Sequence, residues 1–245
     1  MATSTASLTP LRQRSAPYLD YIEHWLAKLP ELSLDAVIAA AGSTERVAIV
    51  SVDLIVGFCH SGPLSSSRVA GILPAVRQLF ESAHAVRIKH IALAQDTHRP
   101  DAEEFGSYPA HCVVDTEESQ TVPELASLPF ADTFTIIEKN SISSIIEPAF
   151  VEWEAANGPF STYVVVGDCS DLCVYQAAMA LKLRSVAGHL GQRVIVPADC
   201  VETYDIPVET AQQLGTQPHD GDLLHHVFLH SMAQNGVDVV GRIVS

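Results

Sequence analysis

The sequence predicts an α/β fold in which helices cover both faces of a central, mostly parallel sheet of six strands, giving three layers, α/β/α. Two observations carry this prediction. Short, dense runs of aliphatic residues recur along the chain, and segments with apolar residues at helical spacing separate them. Such helical crossovers are what consecutive parallel strands require, because each strand must start again at the same edge of the sheet.

The six predicted strands share a high content of branched aliphatic residues and alanine. They cover residues 47–53, 88–94, 134–138, 163–166, 193–197 and 237–240. Helical spacing is found at residues 18–29, 34–41, 65–86, around Trp153, after Cys173 and at 223–233. Pro74 should kink or restart the third of these helices. Residues 1–17 are rich in Ser, Thr and Pro and are expected to be frayed or extended. We therefore predict an N-terminal extension with short helices, residues 1–45, and one α/β domain, residues 46–245.

The composition argues against several classes of function. A formal net charge of −15 disfavours nucleic acids and anionic membranes, which bind basic patches. No apolar run approaches the ~18–20 residues of a membrane-spanning helix. The five cysteines are irregularly spaced and the N-terminus lacks a secretory pattern, so we expect reduced thiols in the cytoplasm. The 47% hydrophobic content and the N-terminal extension favour a homo-oligomer.

The most informative stretch runs from residue 162 to 183 and reads as strand, sharp turn and helix. The apolar run breaks at Gly167, and Cys173 lies where the helix begins. At that position the helix dipole should lower the pKa of the thiol and favour the thiolate. Cys173 is therefore a candidate nucleophile, while the alternative is a buried structural thiol.

Two charged residues end other predicted strands. Asp53 follows a buried run, where it can act as a base for a cysteine or pair with a buried cation. Lys139 follows the third strand and can supply that cation. The alternatives are a turn or cap residue for Asp53 and an exposed lysine for Lys139.

A candidate metal site follows the second strand. Asp96 and His98 straddle one residue at the strand end, and Glu104 and His111 lie on the long polar segment that follows. Carboxylates and imidazoles suit zinc, iron or manganese. The alternative is an exposed polar loop.

Four histidines gather near the C-terminus, where packing or an interface is the favoured interpretation over metal binding. They are His219, His225, His226 and His230.

Together these motifs resemble the isochorismatase-like cysteine hydrolases, a Rossmann-like fold family, and within them the nicotinamidase group. The match rests on Val52-Asp53-Leu54 followed by Phe58, on Lys139, and on the run GDCSDLCV at residues 167–174, similar to a Gly-Val-x-Thr-Asp-x-Cys-Val signature. The Asp-x-His motif at 96–98 and the Pro-x-His-Cys motif at 109–112 resemble the metal loop of the group.

The resemblance implies a role for each matched residue. Asp53, Lys139 and Cys173 would form the catalytic triad, and Phe58 would pack on the substrate ring. Asp96, His98 and His111 would bind the metal, zinc first and iron or manganese as alternatives, with Glu104 as a fourth ligand in some members. A cis peptide at Asp168–Cys169 would turn the backbone N–H groups of Cys169 and Cys173 into an oxyanion hole.

Three residues depart from the family pattern. Asp168 replaces an apolar residue, Ser170 replaces threonine, and Thr97 stands where an aromatic residue is usual. The lost aromatic is expected to alter the pocket.

The expected function is that of a metal-dependent cysteine amidohydrolase. It would convert nicotinamide to nicotinate and ammonia through a thioester, a step of NAD salvage in the cytoplasm, with a small amide as its only implied partner besides its own copies. Three alternatives remain open: a carbamoyl or ureido substrate for the same machinery, a non-catalytic member that keeps the fold, and a metal-only hydrolase.

Overall fold

The strands of the central sheet all pair in parallel. The structure is a computed structural model, and it describes residues 9–245. The strands are β1 (Glu31–Ser33), β2 (Val47–Val52), β3 (His90–Asp96), β4 (Thr135–Lys139), β5 (Thr162–Asp168), β6 (Arg193–Pro197), β7 (Val201–Glu202), β8 (Asp238–Val240) and β9 (Arg242–Val244).

The central sheet has seven strands in the order β4-β3-β2-β5-β6-β8, with the short β7 paired to β5. The predicted α/β fold is confirmed, and all six predicted strands are present within two residues or so at their starts. The seventh strand was not predicted, because the two residues of β7 are too few to produce a hydrophobic period. The chain leaves β2 toward β3 and β4 on one side, and β5 leads to β6 and β8 on the other. This reversal beside β2 and β5 is where open α/β sheets bind ligands.

Helices cover both faces of the sheet. They are α1 (Leu11–Leu26), α2 (Leu34–Ala41), α3 (Val56–Cys59), α4 (Ser67–Ala70), α5 (Leu73–Ala85), α6 (Pro123–Ala126), α7 (Pro148–Asn157), α8 (Cys173–Ala187), α9 (Val208–Leu214) and α10 (Gly221–Gln234). Among the described residues, no helix is both long and apolar enough to cross a membrane.

Two hydrophobic cores lie on opposite faces of the sheet because side chains alternate along each strand. On one face Ile49 and Val164 pack with α2, α5 and α6. On the other face Val50 and Val165 pack with α7, α8 and α10. The predicted helix 65–86 is divided into α4 and α5, and Pro74 lies in the first turn of α5, where a proline does not break the helix.

The N-terminal extension is more helical than the sequence predicted. The expectation of frayed or extended chain is wrong for residues 11–17, since α1 begins at Leu11 and contains Pro17; residues 1–8 lie outside the described part. Farther along the same helix, α1 packs on α10. Tyr18, Tyr21 and Trp25 surround the His230 ring, with ring-centroid distances of 5.7, 5.4 and 5.0 Å.

The two ends of the described chain meet in a second, two-stranded sheet. Strand β1 pairs in parallel with β9, so that Leu32 lies opposite Ile243. Arg242 also donates to the carboxylate of Glu31. The N-terminal extension therefore packs on the α/β domain of its own chain.

Gly167 allows β5 to approach β2 closely just before the signature turn, which is the segment between the end of β5 at Asp168 and the start of α8 at Cys173. Its φ is +112°, and a Cβ atom there would lie 1.9 Å from the Val52 carbonyl oxygen. Only glycine avoids both the unfavourable backbone conformation and this overlap.

Gly167→Ala is therefore expected to lower the free energy of unfolding by more than a substitution that only imposes an unfavourable φ. Gly191→Ala is the matched control, because Gly191 has φ +64° and no atom within 4 Å of its Cβ position. In the control, the unfavourable backbone conformation should lower the free energy of unfolding by about 1–2 kcal/mol. In Gly167→Ala, overpacking against Val52 should lower it by about 1–3 kcal/mol more. Urea unfolding measures both, and equal losses would contradict the close approach.

Candidate active site

Charged and nucleophilic side chains converge at the carboxyl ends of four neighbouring strands. Asp53 follows β2, Asp96 ends β3, Lys139 ends β4, and Asp168 ends β5. Cys173 opens α8, directly after the turn that follows β5. All five side chains are buried. Parallel pairing explains the convergence, because it brings equivalent strand ends to one edge of the sheet.

The Lys139 ammonium is the centre of this group. Its Nζ atom lies 2.9 Å from Asp53 Oδ2, contacts Asp96 Oδ1, and donates to the Ser141 carbonyl oxygen at 3.1 Å. It lies 3.8 Å from Cys173 Sγ. The Asp53 contact is an ion pair without hydrogen-bond alignment. One buried cation thus neutralises one of two buried carboxylates and faces the candidate nucleophile.

Asp53 and Asp96 respond differently to the same burial. Burial, followed by repulsion from Asp96, raises the pKa of Asp53 to about 7 even though Lys139 opposes the shift. Burial also acts to raise the pKa of Asp96, but Lys139 and His98 overcome it and hold that pKa below its ordinary value. Asp96 therefore carries the permanent charge, while Asp53 is poised to exchange a proton.

The structure corrects the expected state of Cys173. The helix dipole was expected to lower the pKa of this thiol, but burial raises it well above the ordinary value, and Lys139 only partly opposes the rise. Carboxylate oxygens of Asp53 and Asp96 lie within 4.8 Å of Sγ and add repulsion against a thiolate. The resting thiol is therefore protonated and needs a base.

A second cluster contains the residues of the predicted metal site. His98 Nε2 lies 3.5 Å from Asp96 Oδ2, and His111 Nε2 lies 3.9 Å from the same oxygen. Both separations are shorter than twice a zinc–ligand bond of about 2.1 Å, so one ion can contact Asp96 and either imidazole at once. Asp96, His98 and His111 are the only ligand set with three such close atoms among the described residues besides Asp53, Asp96 and Cys173.

Hydrogen bonds at the far side of both rings prepare them as ligands. His111 Nδ1 donates to the Pro109 carbonyl oxygen at 2.8 Å. His98 Nδ1 lies 3.3 Å from Asn140 Oδ1, which also accepts from the Arg99 backbone N–H. An acceptor at Nδ1 leaves the Nε2 lone pair free in the neutral ring. His98 Nε2 is buried and without a hydrogen-bond partner in the described chain, as a metal ligand would be before the metal binds.

The other predicted site residues lie around these two clusters. Phe58 is buried, with its ring centroid 5.6 Å from that of His111. Glu104 lines a cavity that lies beside both clusters, but it is not one of the three residues with closely spaced ligand atoms. Thr97 does not line the cavity, and the aromatic contact to His98 comes from Phe105, with ring centroids 5.4 Å apart.

A cavity that is partly open to solvent joins the two clusters. Sequence reasoning missed several of its walls, since ordinary apolar and tyrosine residues on loops carry no local signal. The missed lining residues are Leu64, Val69, Tyr108, Ile142, Leu172 and Tyr204.

The signature turn carries the expected cis peptide at Asp168–Cys169. Within residues 9–245, neither the Cys169 nor the Cys173 backbone N–H donates to a protein acceptor, so both donors are available to a ligand.

The C-terminal histidines support this turn. His225 Nδ1 lies 3.0 Å from Ser170 Oγ, and His219 Nε2 lies 2.8 Å from Asp171 Oδ2. His226 bonds its own helix at the Asp222 carbonyl, and in the described structure none of the four histidines joins a close set of metal-ligand atoms.

Comparison with known proteins identifies the family. Residues 47–241 match the family model described as the isochorismatase domain. The chain belongs to the isochorismatase family. Nicotinamidase 1 of Arabidopsis thaliana is 33% identical over 213 residues, which cover 80% of this chain and 86% of that protein. This isochorismatase-family member is thus an amidohydrolase that acts on an amide C–N bond.

Solved structures of the family share the fold at lower identity. Pyrazinamidase of Pyrococcus horikoshii, in complex with zinc, is 20% identical with a TM-score of 0.62, over 80% of this chain and 98% of that one. N-carbamoylsarcosine amidase of Thermoplasma acidophilum is 20% identical with a TM-score of 0.60, over 80% and 95% of the two chains.

The ion pairs of Lys139 with Asp53 and Asp96 are expected to contribute to the stability of the fold. Lys139→Met leaves two buried carboxylates without their cation, so the free energy of unfolding should fall by about 3–5 kcal/mol. Lys89→Met is the matched control, because exposed Lys89 lies 3.0 Å from exposed Glu45, and breaking such a pair costs about 0–1 kcal/mol. Urea unfolding of both variants tests this, and comparable losses would show that the buried cation is dispensable.

Proposed function

We propose that the chain is a metal-dependent cysteine amidohydrolase that converts nicotinamide to nicotinate and ammonia through a thioester. One observation carries the proposal: Asp53, with a pKa of about 7, and the thiol of Cys173 line one cavity, and the buried Lys139 ammonium lies 2.9 Å from Asp53 Oδ2 and 3.8 Å from Cys173 Sγ. The identity to a nicotinamidase supports the choice of substrate.

In the first half-reaction, the Cys173 thiol passes its proton to Asp53 as Sγ bonds to the amide carbon. The carbonyl oxygen becomes an oxyanion, to which the free backbone N–H groups of Cys169 and Cys173 donate. The C–N bond then breaks, and Asp53 returns the proton to the nitrogen, which leaves as ammonia. The acyl group remains on Cys173 as a thioester.

In the second half-reaction, water attacks the thioester carbon while Asp53 accepts a proton from the water. The C–S bond breaks, the proton on Asp53 restores the Cys173 thiol, and the released nicotinic acid loses its remaining proton to solvent as nicotinate. Asp53 suits both directions of transfer because a general acid–base group works best with a pKa near the ambient pH.

Lys139 has an electrostatic role in this scheme. Burial acts to lower the pKa of its ammonium, but Asp53 and Asp96 raise it well above the ordinary value, so the charge is permanent. A fixed positive charge 3.8 Å from Sγ stabilises the thiolate as it forms.

The metal site is assigned to Asp96, His98 and His111, with Glu104 proposed as an additional ligand. Two imidazoles and a carboxylate suit zinc, with iron or manganese as alternatives, and the zinc in the Pyrococcus horikoshii pyrazinamidase agrees with this choice. The bound metal would supply a Lewis-acidic contact for the pyridine nitrogen and so orient the ring. Phe58, beside His111, is placed to pack on that ring.

Ammonia release from nicotinamide tests the nucleophile. Cys173→Ala should lower kcat/KM by at least about 10³-fold, because the covalent route is removed. Cys200→Ala is the matched control, since Cys200 is equally buried but does not line the cavity.

Each other outcome of that assay contradicts a specific part of the proposal. If a ureido compound is hydrolysed and nicotinamide is not, the substrate is wrong and the mechanism stands. If Cys173→Ala remains active, a metal-only hydrolase is the better account. If the wild type hydrolyses no carboxamide or ureido compound, the chain is a non-catalytic member of its family.

Metal content tests the ligand set independently of activity. Protein equilibrated with zinc and dialysed should retain one ion per chain, measured by elemental mass spectrometry. His111→Ala should lose most of it, whereas His24→Ala, which changes an exposed histidine on α1, should not. Equal retention by the two variants would contradict the assigned site, and chelation of the wild type should abolish ammonia release.

A further inference from the structure

Asp168 is a buried carboxyl group for which the proposed mechanism has no use. It ends β5, lines the cavity and is 1% exposed. Its Oδ1 atom has no hydrogen-bond partner among the described residues. Its Oδ2 atom is 3.6 Å from Cys169 Sγ, a weak thiol donor.

No nearby cation is free to hold Asp168 ionised. Lys139 has three N–H bonds, and its hydrogen bonds go to Asp96, the Ser141 carbonyl oxygen and Cys173 Sγ, while its ion pair is with Asp53. Burial, and then the charge of Asp53, raise the pKa of Asp168 well above its ordinary value. Asp168 is therefore a neutral carboxylic acid in the resting protein.

The position of its proton follows from the contact with Cys169. Burial raises the pKa of that thiol well above its ordinary value, so it stays protonated and can only donate to Oδ2. The acid proton of Asp168 then lies on Oδ1. The cavity wall thus contains one buried O–H donor without an acceptor.

Packing does not explain this donor. Apolar side chains, among them Phe58, Leu64 and Val69, line the same cavity, so a valine at position 168 would be compatible with the wall and would leave no unpaired polar atom. The family pattern described above has an apolar residue at this position, whereas this chain has a carboxyl group. A buried unpaired group is destabilising unless a ligand satisfies it.

We propose that Asp168 is a specificity-determining residue that donates a hydrogen bond from Oδ1 to an acceptor on the substrate. The preferred substrate is then a heteroaromatic carboxamide that carries, besides its amide and the ring nitrogen assigned to the metal, a further acceptor on the edge facing Asp168. This inference rests on the proposed function, since it concerns the same cavity.

A series of isosteric amides tests this inference. The series contains nicotinamide and its analogues in which one further ring C–H is replaced by nitrogen, at each position in turn. For the wild type, one position should raise kcat/KM by at least about tenfold over its isomers, mainly through KM, because a matched substrate pairs the donor. That preference should shrink to within about twofold in Asp168→Val.

Asp168→Asn is the matched control, because its amide retains an N–H donor and should preserve the preference. Comparison of the same analogue between variants cancels differences in intrinsic reactivity. Equal preferences in wild type and Asp168→Val would overturn the inference, as would a preference for a cationic substituent, which requires an ionised carboxylate. Asp168→Ala replaces the valine variant if the latter does not fold.

Binding to Cys173→Ala separates this inference from the proposed function. Dissociation constants for the series, measured by calorimetry with this inactive protein and its Asp168→Val double variant, report the hydrogen bond without turnover. If no amide is hydrolysed by the wild type but the binding preference disappears in the double variant, the proposed function fails and the role of Asp168 stands. If the wild type hydrolyses amides but the binding preference is the same in Cys173→Ala and in the double variant, the proposed function stands and the role of Asp168 fails.

Discussion

The site depends on a single buried ammonium group. Lys139 is 1% exposed, and taking its charge out of water is costly unless carboxylates compensate for the loss. Asp53 and Asp96 do so from two adjacent strands, and the Ser141 carbonyl oxygen accepts a further hydrogen bond from the ammonium. Two carboxylates share one cation, and burial followed by repulsion from Asp96 raises the pKa of Asp53 although Lys139 opposes the rise. The pKa of Asp53 thus depends on its burial and on both charged neighbours.

Asp96 connects the two halves of the site. One carboxylate oxygen contacts Lys139, and the other lies 3.5 Å from His98 Nε2 and 3.9 Å from His111 Nε2. A cation held by the histidines would draw charge from the same carboxylate that stabilises the lysine. The chemistry at Cys173 and the candidate metal cluster therefore share one side chain. In the proposed mechanism, the protonated thiol becomes a nucleophile only when Asp53 accepts its proton.

Strand periodicity was sufficient to predict the sheet and the convergence of Asp53, Asp96, Lys139 and Cys173, because parallel pairing brings strand ends together. It was insufficient wherever a distant contact decides the outcome. One such contact is the packing of α1 on α10, where Trp25 meets His230, which local composition does not encode. The thiol pKa of Cys173 follows burial and not the helix dipole, since desolvation is the stronger of the two effects. Asp168 stood out as a departure from the signature, but only the structure reveals that its oxygen lacks a partner.

The pairing of β1 with β9 lies outside the region that this chain shares with its family. The region shared with the family covers residues 47–241, whereas the last strand, Arg242–Val244, finds its hydrogen-bonding neighbour at Glu31–Ser33. The region shared with the family is therefore smaller than the part of the chain in which every strand has a pairing partner. The pairing of β1 with β9 connects the N-terminal extension, which contains α1 and α2, to the C-terminal end of the α/β domain. A fragment trimmed to residues 47–241 would therefore lose both strands of the second sheet, together with α1 and α2.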